Sequence, residues 1–213
     1  MKLTTSAFAD GDVIPGGFAF CVPDPDTHVS LGANRNPDLS WDELPAGTMS
    51  LVLICHDPIV PTVGDDVNQE GREVPADLPR TDFFHWVLVD LPAHLTAIAE
   101  GEFSDGVTAR GKEGPAAPHG ARHGLNDYTG WFAGDADMEG SYYGYDGPCP
   151  PWNDSLIHEY HFTLYALSTD RLPVDGDFGG ADALAALQDH VLDQATVWGT
   201  YTLNPRLRAD TTS

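Results

Sequence analysis

The stretch Gly147-Pro148-Cys149-Pro150-Pro151 constrains the fold of this chain more than any other part of the sequence. Proline fixes φ at about −65° and has no backbone N–H, so a segment this rich in proline and glycine can be neither a helix nor an inner strand. We therefore predict a stiff, irregular loop. Because the loop leads through His158 into Tyr160–Leu167, whose aromatic and β-branched residues are typical of a strand, it favours a small, preformed pocket there.

Short strands joined by shaped loops are predicted for the rest of the chain, because 22 glycines and 17 prolines are spread through its 213 residues. The other strand candidates are Phe18–Val22, Ser50–His56, Phe83–Val89 and Thr200–Leu203. Val60–Asp82 and Glu100–Tyr142 are predicted to be long loops. The sequence contains no repeat and no linker, so residues 1–213 are predicted to form a single, mostly β domain.

One helix is predicted near the C-terminal end of the chain. Asp182 is a suitable N-cap, and apolar residues recur after it at spacings of three and four, at Leu184, Leu187, Val191 and Ala195. After Gly199 the pattern returns to that of a strand.

The charge of the chain is strongly negative, because 33 Asp and Glu oppose 10 Lys and Arg to give a net charge of −23. Such a chain is expected to be repelled by nucleic acid and by anionic membrane surfaces. An acidic patch for a cationic partner is one interpretation of this charge. We favour a uniformly acidic, strongly hydrated surface of the halophilic type, because the acids run from Asp10 to Asp210 without a long block.

The expected location and redox state follow from features that the sequence lacks. No run approaches the ~18 apolar residues of a membrane span, and Met1–Pro15 has no apolar signal-peptide core, so we expect a cytoplasmic protein without stable membrane association. Cys21, Cys55 and Cys149 are odd in number and widely spaced, which favours reduced thiols over a disulfide framework. Cys55 ends an apolar run and is predicted to fill the core.

Three polar side chains at strand ends form the candidate site: Asp57, His85 and His158. Because side chains alternate along a strand, His85 is predicted to share a face with the two valines that follow it, Val87 and Val89. By the same argument His158 shares a face with the aromatic residues of the next strand. Both imidazoles then point towards apolar surroundings, where a nearby aspartate would satisfy their hydrogen bonds.

An ordered set of motifs covers nearly the whole chain, from Phe8 to about Arg206. The motifs are Asp10-Gly11 to Ile14-Pro15, Asn36–Trp41, Pro45–Leu51, Asp57-Pro58, Phe84-His85-Trp86, Asn126-Asp127-Tyr128, Gly147–Pro151 and His158-Glu159-Tyr160. Each motif is weak alone, but in this order the chain resembles the phosphatidylethanolamine-binding protein family, in particular its bacterial and archaeal, Raf-kinase-inhibitor-like branch.

The resemblance implies a fold of antiparallel β-sheets with a small pocket for anionic groups such as phosphate head groups. Asp57, His85 and His158 would line this pocket, and Tyr160 and the loop with Gly147, Pro148, Pro150 and Pro151 would form its wall. Imidazole and backbone N–H groups would donate to phosphate oxygens, and the aspartate would fix an imidazole tautomer.

The chain departs from the family pattern in three places. Where the family usually reads Asp-Pro-Asp-Ala-Pro, this chain has Ile59 in place of the second aspartate. Glu159 stands where an arginine is common, and an acidic segment, Trp131–Gly140, is inserted before the proline loop. This segment would cover or reshape the pocket.

Other interpretations of these residues stay open. His85 and His158 could be hydrogen-bonded core histidines, and Asp57 could be only a turn residue before Pro58. Two histidines and one aspartate could also hold a metal ion as a facial triad.

The remaining histidines and Cys149 carry weaker signals. Cys149 has no orienting third group, so a passive loop cysteine is preferred to a nucleophile. His158–His161 is one residue too short for a zinc-protease motif, which we reject. His119 and His123 are predicted to lie in a solvated loop, with rim contact to a ligand as the alternative.

The function expected from the sequence is the binding of a small anionic or phosphorylated ligand, without catalysis and without a cofactor. Regulation of a partner protein, in the manner of a kinase or protease inhibitor, is compatible with this function, but no partner is identified. The alternative is a metal-assisted hydrolase that uses the same aspartate and histidines.

Overall fold

Residues 1–210, the part of the chain that a computed structural model describes, form ten β-strands and three α-helices. The strands are β1 (Lys2–Thr4), β2 (Cys21–Asp24), β3 (His28–Leu31), β4 (Leu39–Asp42), β5 (Ser50–Pro61), β6 (Arg80–Pro92), β7 (Ala97–Ile98), β8 (Arg122–His123), β9 (His158–Leu167) and β10 (Val191–Tyr201). The helices are α1 (Tyr128–Trp131), α2 (Gly180–Leu187) and α3 (Pro205–Asp210). None of the described helices has the length and apolarity needed to cross a bilayer.

A five-stranded antiparallel sheet with the order β10-β9-β5-β6-β8 is the centre of the fold. Two smaller antiparallel sheets accompany it, with the orders β1-β4-β7 and β2-β3. This architecture confirms the predicted fold class. The candidate residues lie on β5, β6 and β9, which are neighbours in the central sheet.

Both faces of the central sheet are covered, which explains why its strands are nearly continuous apolar runs. On β5, Leu51, Leu53 and Cys55 belong to the larger core, whereas Val52 and Ile54 belong to a second core beneath α2. This alternation places Asp57 on the side of the larger core. Cys55 is a buried free thiol in that core, as predicted.

The predicted C-terminal helix exists but is shorter than expected. Helix α2 ends at Leu187, and the residues Val191 and Ala195 belong to β10, where they pair with β9. The N-cap is Gly179, and the side chain of Asp182 accepts a hydrogen bond from the Gly179 N–H at 2.9 Å. A short apolar stretch can match the periodicity of a helix or that of a strand, and here pairing with β9 makes the segment a strand.

The expectation of reduced thiols is wrong for two of the three cysteines. Cys21 and Cys149 form a disulfide across 128 residues, joining β2 to the proline loop. Sequence spacing could not show this, because the two residues meet only after the sheets have packed. Disulfides are more typical of oxidising compartments than of a reducing cytoplasm, so this bond gives no support to the cytoplasmic location, which stays a prediction.

Removing the disulfide is expected to destabilise the protein. The Cys21→Ser/Cys149→Ser double variant should lose about 2–5 kcal/mol of unfolding free energy, because the bond restricts a long loop in the unfolded chain. Urea denaturation measures the loss. A reducing agent should lower the unfolding free energy of the wild type by a similar amount and leave that of the double variant unchanged. Equal stability of wild type and double variant in the absence of reducing agent would contradict the prediction.

Salt is expected to stabilise the fold. The 33 acids face only 10 Lys and Arg, so most carboxylates have no basic side chain to pair with. Raising NaCl from about 0.1 M to about 2 M shortens the Debye length from ~10 Å to a few Å and screens their repulsion. Thermal unfolding should show a midpoint that rises with salt and rises less with sucrose, and a midpoint independent of salt would refute the idea.

Candidate functional site

A cavity of about 260 Å³ opens beside the central sheet, between the proline loop and α1. Six of the eight predicted site residues line it, namely Asp57, His85, Pro150, Pro151, His158 and Tyr160. The other two, Gly147 and Pro148, lie behind the wall rather than in it. The structure thus brings the predicted triad together in one pocket.

His158 is clamped between two buried carboxylates. Its Nδ1 lies 2.6 Å from Asp57 Oδ2, and its Nε2 lies 3.1 Å from Asp154 Oδ2. All three side chains are almost fully buried. Arg80 donates a hydrogen bond to each oxygen of Asp154, from Nη1 to Oδ2 at 2.7 Å and from Nη2 to Oδ1 at 3.1 Å.

The two carboxylates keep His158 charged. Burial alone would lower the pKa of His158, but the charge of Asp57 and the hydrogen bonds to Asp57 and Asp154 outweigh it and raise the pKa to about 9. Both ring nitrogens therefore carry protons, and both protons are donated to protein groups. His158 consequently has no N–H left for a ligand, contrary to the expectation that both imidazoles would donate to one.

Asp154 was missed by the sequence analysis. Burial would raise the pKa of Asp154, but hydrogen bonds from His158 and Arg80 outweigh it and lower the pKa below its usual value. Asp154 thus supplies a second carboxylate to the site, although Ile59 has removed the family's usual one. The only sequence signal was its position four residues before His158, in an irregular segment without periodicity.

His85 is held in the opposite protonation state. Its Nδ1 donates to the backbone carbonyl of Asp146 at 2.7 Å, which fixes the proton on Nδ1 and leaves Nε2 as an acceptor. Burial lowers the pKa of His85 to about 4, despite the nearby charge of Asp57. Within the described residues no hydrogen bond engages Nε2, and the ring lines the cavity.

A β-bulge places His85 in the pocket. On the neighbouring strand, Cys55 opposes Trp86 and His56 opposes Phe84, so His85 itself has no partner. The predicted sharing of a face with Val87 and Val89 is therefore wrong, since both valines lie in the second core beneath α2. Regular alternation cannot anticipate a bulge, which re-aims one side chain by inserting one residue.

Asp146 connects His85 to the proline loop. Its buried carboxylate accepts hydrogen bonds from Lys112 Nζ at 2.5 Å, Asn34 Nδ2 at 2.8 Å and Asn126 Nδ2 at 2.9 Å. Burial raises the pKa of Asp146, and the charge of Lys112 opposes that rise. With the carboxylate so held, the Asp146 carbonyl is fixed beneath His85.

The proline loop is anchored from behind by its backbone. The Gly147 N–H donates to Asn34 at 2.8 Å, and the Gly147 carbonyl accepts from the Tyr128 hydroxyl at 2.8 Å. A Cβ on Gly147 would lie only 2.0 Å from the Phe18 carbonyl oxygen, so only glycine fits here. The Pro148 carbonyl accepts from the Cys21 N–H at 3.1 Å, beside the disulfide.

Tyr160 presents a buried hydroxyl without a partner. The residue is 1% exposed and lines the cavity, and its Oη has no hydrogen-bond partner among the described residues. Burial, followed by the charge of Asp57, raises the pKa of Tyr160 well above its usual value, and the Asp57 carboxylate lies close to the hydroxyl but outside hydrogen-bonding geometry. The hydroxyl therefore stays protonated and can donate a hydrogen bond into the cavity.

Apolar side chains form much of the remaining lining of the cavity. Phe83, Val60 and Val67 line the cavity together with Pro150 and Pro151. Trp131, the first residue of the acidic insertion, also lines the cavity and is 53% exposed. The insertion therefore contributes this indole to the lining of the pocket, whereas its effect on the pocket's shape relative to the family stays a prediction.

His119 and His123 do not reach the cavity. His119 pairs with Glu102 at 2.6 Å on the surface, and His123 is buried against Phe103. Rim contact to a ligand is thus not their role in this structure, and His123 is not in the solvated position that was predicted.

A metal ion is not favoured by the donor set of the pocket. Both nitrogens of His158 and one nitrogen of His85 already make hydrogen bonds. Within residues 1–210, no three His, Cys, Asp or Glu side chains are grouped so that they could hold a metal ion. The facial triad considered for these residues would require His158 to lose at least one of its carboxylate bonds.

The clamp on His158 predicts a specific pH dependence of stability. Because the folded-state pKa of about 9 exceeds the ordinary value of 6.5, the stabilisation by the charged ring is fully present below pH 6.5 and is lost as the pH rises through 9. The stability advantage of wild type over His158→Gln should therefore shrink, on the order of 3 kcal/mol, between these pH values.

Urea denaturation across that pH range measures the effect. The surface variant His94→Gln is the matched control and should follow the wild type. An advantage over His158→Gln that stays constant or grows with pH would show that the ring is not charged in the folded protein.

Comparison with known proteins agrees with this fold. The family model described as phosphatidylethanolamine-binding protein matches residues 4–202. UPF0098 protein YbhB of Escherichia coli is 30% identical over 197 residues, which covers 92% of this chain and 97% of that protein. A UPF0098 protein of Methanothermobacter thermautotrophicus is 32% identical over 201 residues, covering 94% and 98%.

Solved structures show the same fold. The crystal structure of E. coli YbcL, described as a new member of the mammalian PEBP family, superposes with a TM-score of 0.66 at 24% identity over 94% of this chain and 97% of that one. The putative phosphatidylethanolamine-binding protein homolog CT736 of Chlamydia trachomatis gives 0.61 at 26% identity, covering 94% and 95%. The chain belongs to the phosphatidylethanolamine-binding protein family.

Proposed function

We propose that this protein binds a small ligand with a protonated, phosphate-type acid group in the pocket of Asp57, His85 and His158. One observation carries the proposal. The unpartnered hydroxyl of Tyr160 and the open Nε2 of His85 line the same cavity, one as a donor and the other as an acceptor. A buried donor without a partner costs free energy, and a ligand oxygen would recover that cost.

The charges around the pocket favour short-range recognition over long-range attraction. The carboxylates of Asp57 and Asp154 are balanced by the charged His158 and by Arg80. With a net charge of −23 on the whole chain, a dianion meets no attractive field. The ligand is therefore selected by hydrogen bonds at the base of the cavity.

The acceptor state of His85 sets the protonation of the ligand. A phosphate ester in its monoanionic form carries one P–O–H group, which can donate to His85 Nε2 while another oxygen accepts from Tyr160. A dianionic ester could bind only if His85 took up a proton, which burial opposes. In both routes the complex holds one proton more than the free protein and the dianion.

The apolar part of the lining suggests what the acid group is attached to. Phe83, Trp131 and the two prolines of the loop line the cavity, so the organic part of a bound ester would contact them. The phosphatidylethanolamine in the family's name makes O-phosphoethanolamine the natural first probe. We infer neither catalysis nor a specific partner protein, and a regulatory role would require a partner that presents such a group.

Binding of O-phosphoethanolamine is expected to weaken as the pH rises. The second pKa of a phosphate ester is near 6, so titration calorimetry should give a higher affinity at about pH 5.5 than at about pH 7.5. O-sulfoethanolamine is the matched ligand, since its ester has no ionisable proton in this range. It should bind more weakly and without that pH dependence, and a phosphate affinity that rises with pH would sink the proposal.

Removing the Tyr160 hydroxyl should weaken binding of the same probe. Tyr160→Phe deletes one buried donor and keeps the ring, and the affinity should fall about tenfold. Tyr143→Phe is the matched control, because its hydroxyl bonds Asp177 on the surface and does not line the cavity. Equal affinities of Tyr160→Phe and wild type would show that this hydroxyl does not contact the ligand.

A further inference from the structure

A row of four aromatic rings crosses the face of the central sheet that is turned away from the pocket. Phe84 on β6, His56 on β5, His161 on β9 and Trp198 on β10 follow one another across neighbouring strands. Their ring centres are separated by 6.0 Å, 5.6 Å and 5.7 Å, in that order. The row includes two histidines that the pocket does not use.

His56 and His161 are directly opposite each other in the β5–β9 register. Side chains at opposite positions of an antiparallel pair have their Cβ atoms about 5 Å apart, so they meet without any rearrangement of the backbone. The two side chains are 26% and 27% exposed, so solvent reaches both. His56 points away from the pocket, because its neighbour Asp57 occupies the other face.

Two carboxylates stand beside the histidine pair. Asp82 Oδ1 lies 3.9 Å from His56 Nε2, and Glu159 Oε2 lies 3.0 Å from His161 Nε2. Both Nε2 atoms therefore lie at a negatively charged, solvent-accessible part of the face. A cation held between the rings would have anionic neighbours without any further change.

The separation of the rings suits a shared metal ion. Two imidazoles bound to one tetrahedral ion at about 2.0–2.1 Å have ring centres roughly 5 Å apart. The observed 5.6 Å is close enough for small rotations of two partly exposed side chains to close the gap. We propose that His56 and His161 chelate one divalent transition-metal ion on this face of the sheet.

The chemistry of the ligands defines the class of ion. Imidazole nitrogen suits zinc, copper and nickel, whereas magnesium and calcium require oxygen ligands. No third side chain among the described residues is already grouped with the pair as a metal ligand, so water completes the coordination. Coordination through Nε2 replaces the partly exposed hydrogen bond between His161 and Glu159, after which Asp82 and Glu159 contribute charge and accept hydrogen bonds from that water.

Zinc titration of the metal-free protein tests the proposal. Calorimetry should show one zinc per chain for the wild type, and His56→Asn or His161→Asn should each lose about tenfold or more in affinity, because a single imidazole cannot chelate. The control is His94→Asn, which removes an exposed histidine elsewhere and should bind zinc like the wild type. Excess magnesium should not compete.

Tryptophan fluorescence locates the ion independently. The ring of His161 stacks on Trp198 at 5.7 Å, so bound copper should quench that indole. Trp198→Phe should remove the largest part of the quenching and leave zinc affinity unchanged, whereas Trp152→Phe, beside a different histidine, should not reduce it.

The outcomes separate this site from the pocket. Zinc affinity unchanged in both His56→Asn and His161→Asn, with matching thermal unfolding of the metal-free proteins, would overturn the proposal. Binding without a defined stoichiometry would overturn it as well. The affinity for O-phosphoethanolamine should be the same with and without zinc, since the two sites lie on opposite faces of the sheet.

Discussion

The clamp on His158 is the interaction on which the pocket depends. Asp57 belongs to β5, Asp154 to the segment before β9, and Arg80 to β6, so one charged imidazole joins three parts of the chain. Buried charges are tolerated only when they are paired and hydrogen-bonded, and here each charge has its partner. Because both ring nitrogens of His158 are already bonded to carboxylates, contacts to a ligand depend on neighbouring residues. His158 builds the floor, and His85 and Tyr160 remain to meet a ligand.

His85 and His158 show how one residue type acquires two roles in one cavity. Two carboxylates keep His158 protonated, whereas burial keeps His85 neutral and one backbone carbonyl fixes its single ring proton on Nδ1. The carbonyl belongs to Asp146, whose own carboxylate is fixed by Lys112 and two asparagines. The Nε2 acceptor of His85, which faces the cavity, is therefore determined by hydrogen bonds that lie behind the ring. Asp146, at the centre of these hydrogen bonds, directly precedes the proline loop that forms the pocket wall.

The β-rich fold and the triad could be predicted from the sequence, because the ordered motifs include the strand ends at which Asp57, His85 and His158 lie. Features that arise only from packing escaped it. The Cys21–Cys149 pair has no spacing signal, Asp154 lies in an irregular segment, and the bulge at His85 breaks the alternation on which its predicted face depended. The end of α2 was misplaced because Val191 fits both a helix and a strand, and only pairing with β9 decides between them.

The bulge in β6 divides that strand into two parts that can change independently. From Trp86 onward the side chains are fixed by a core on each face, whereas from Arg80 to Phe83 they lie at the exposed end of the strand or line the pocket. Loss of His85 at the bulge would straighten the strand and leave Trp86 opposite Cys55 and Phe84 opposite His56, so the side chains on both sides would keep their faces. A single-codon deletion of His85 would thus remove the acceptor from the cavity with Asp57 and His158 untouched, giving evolution a short route to a different pocket on the same sheet.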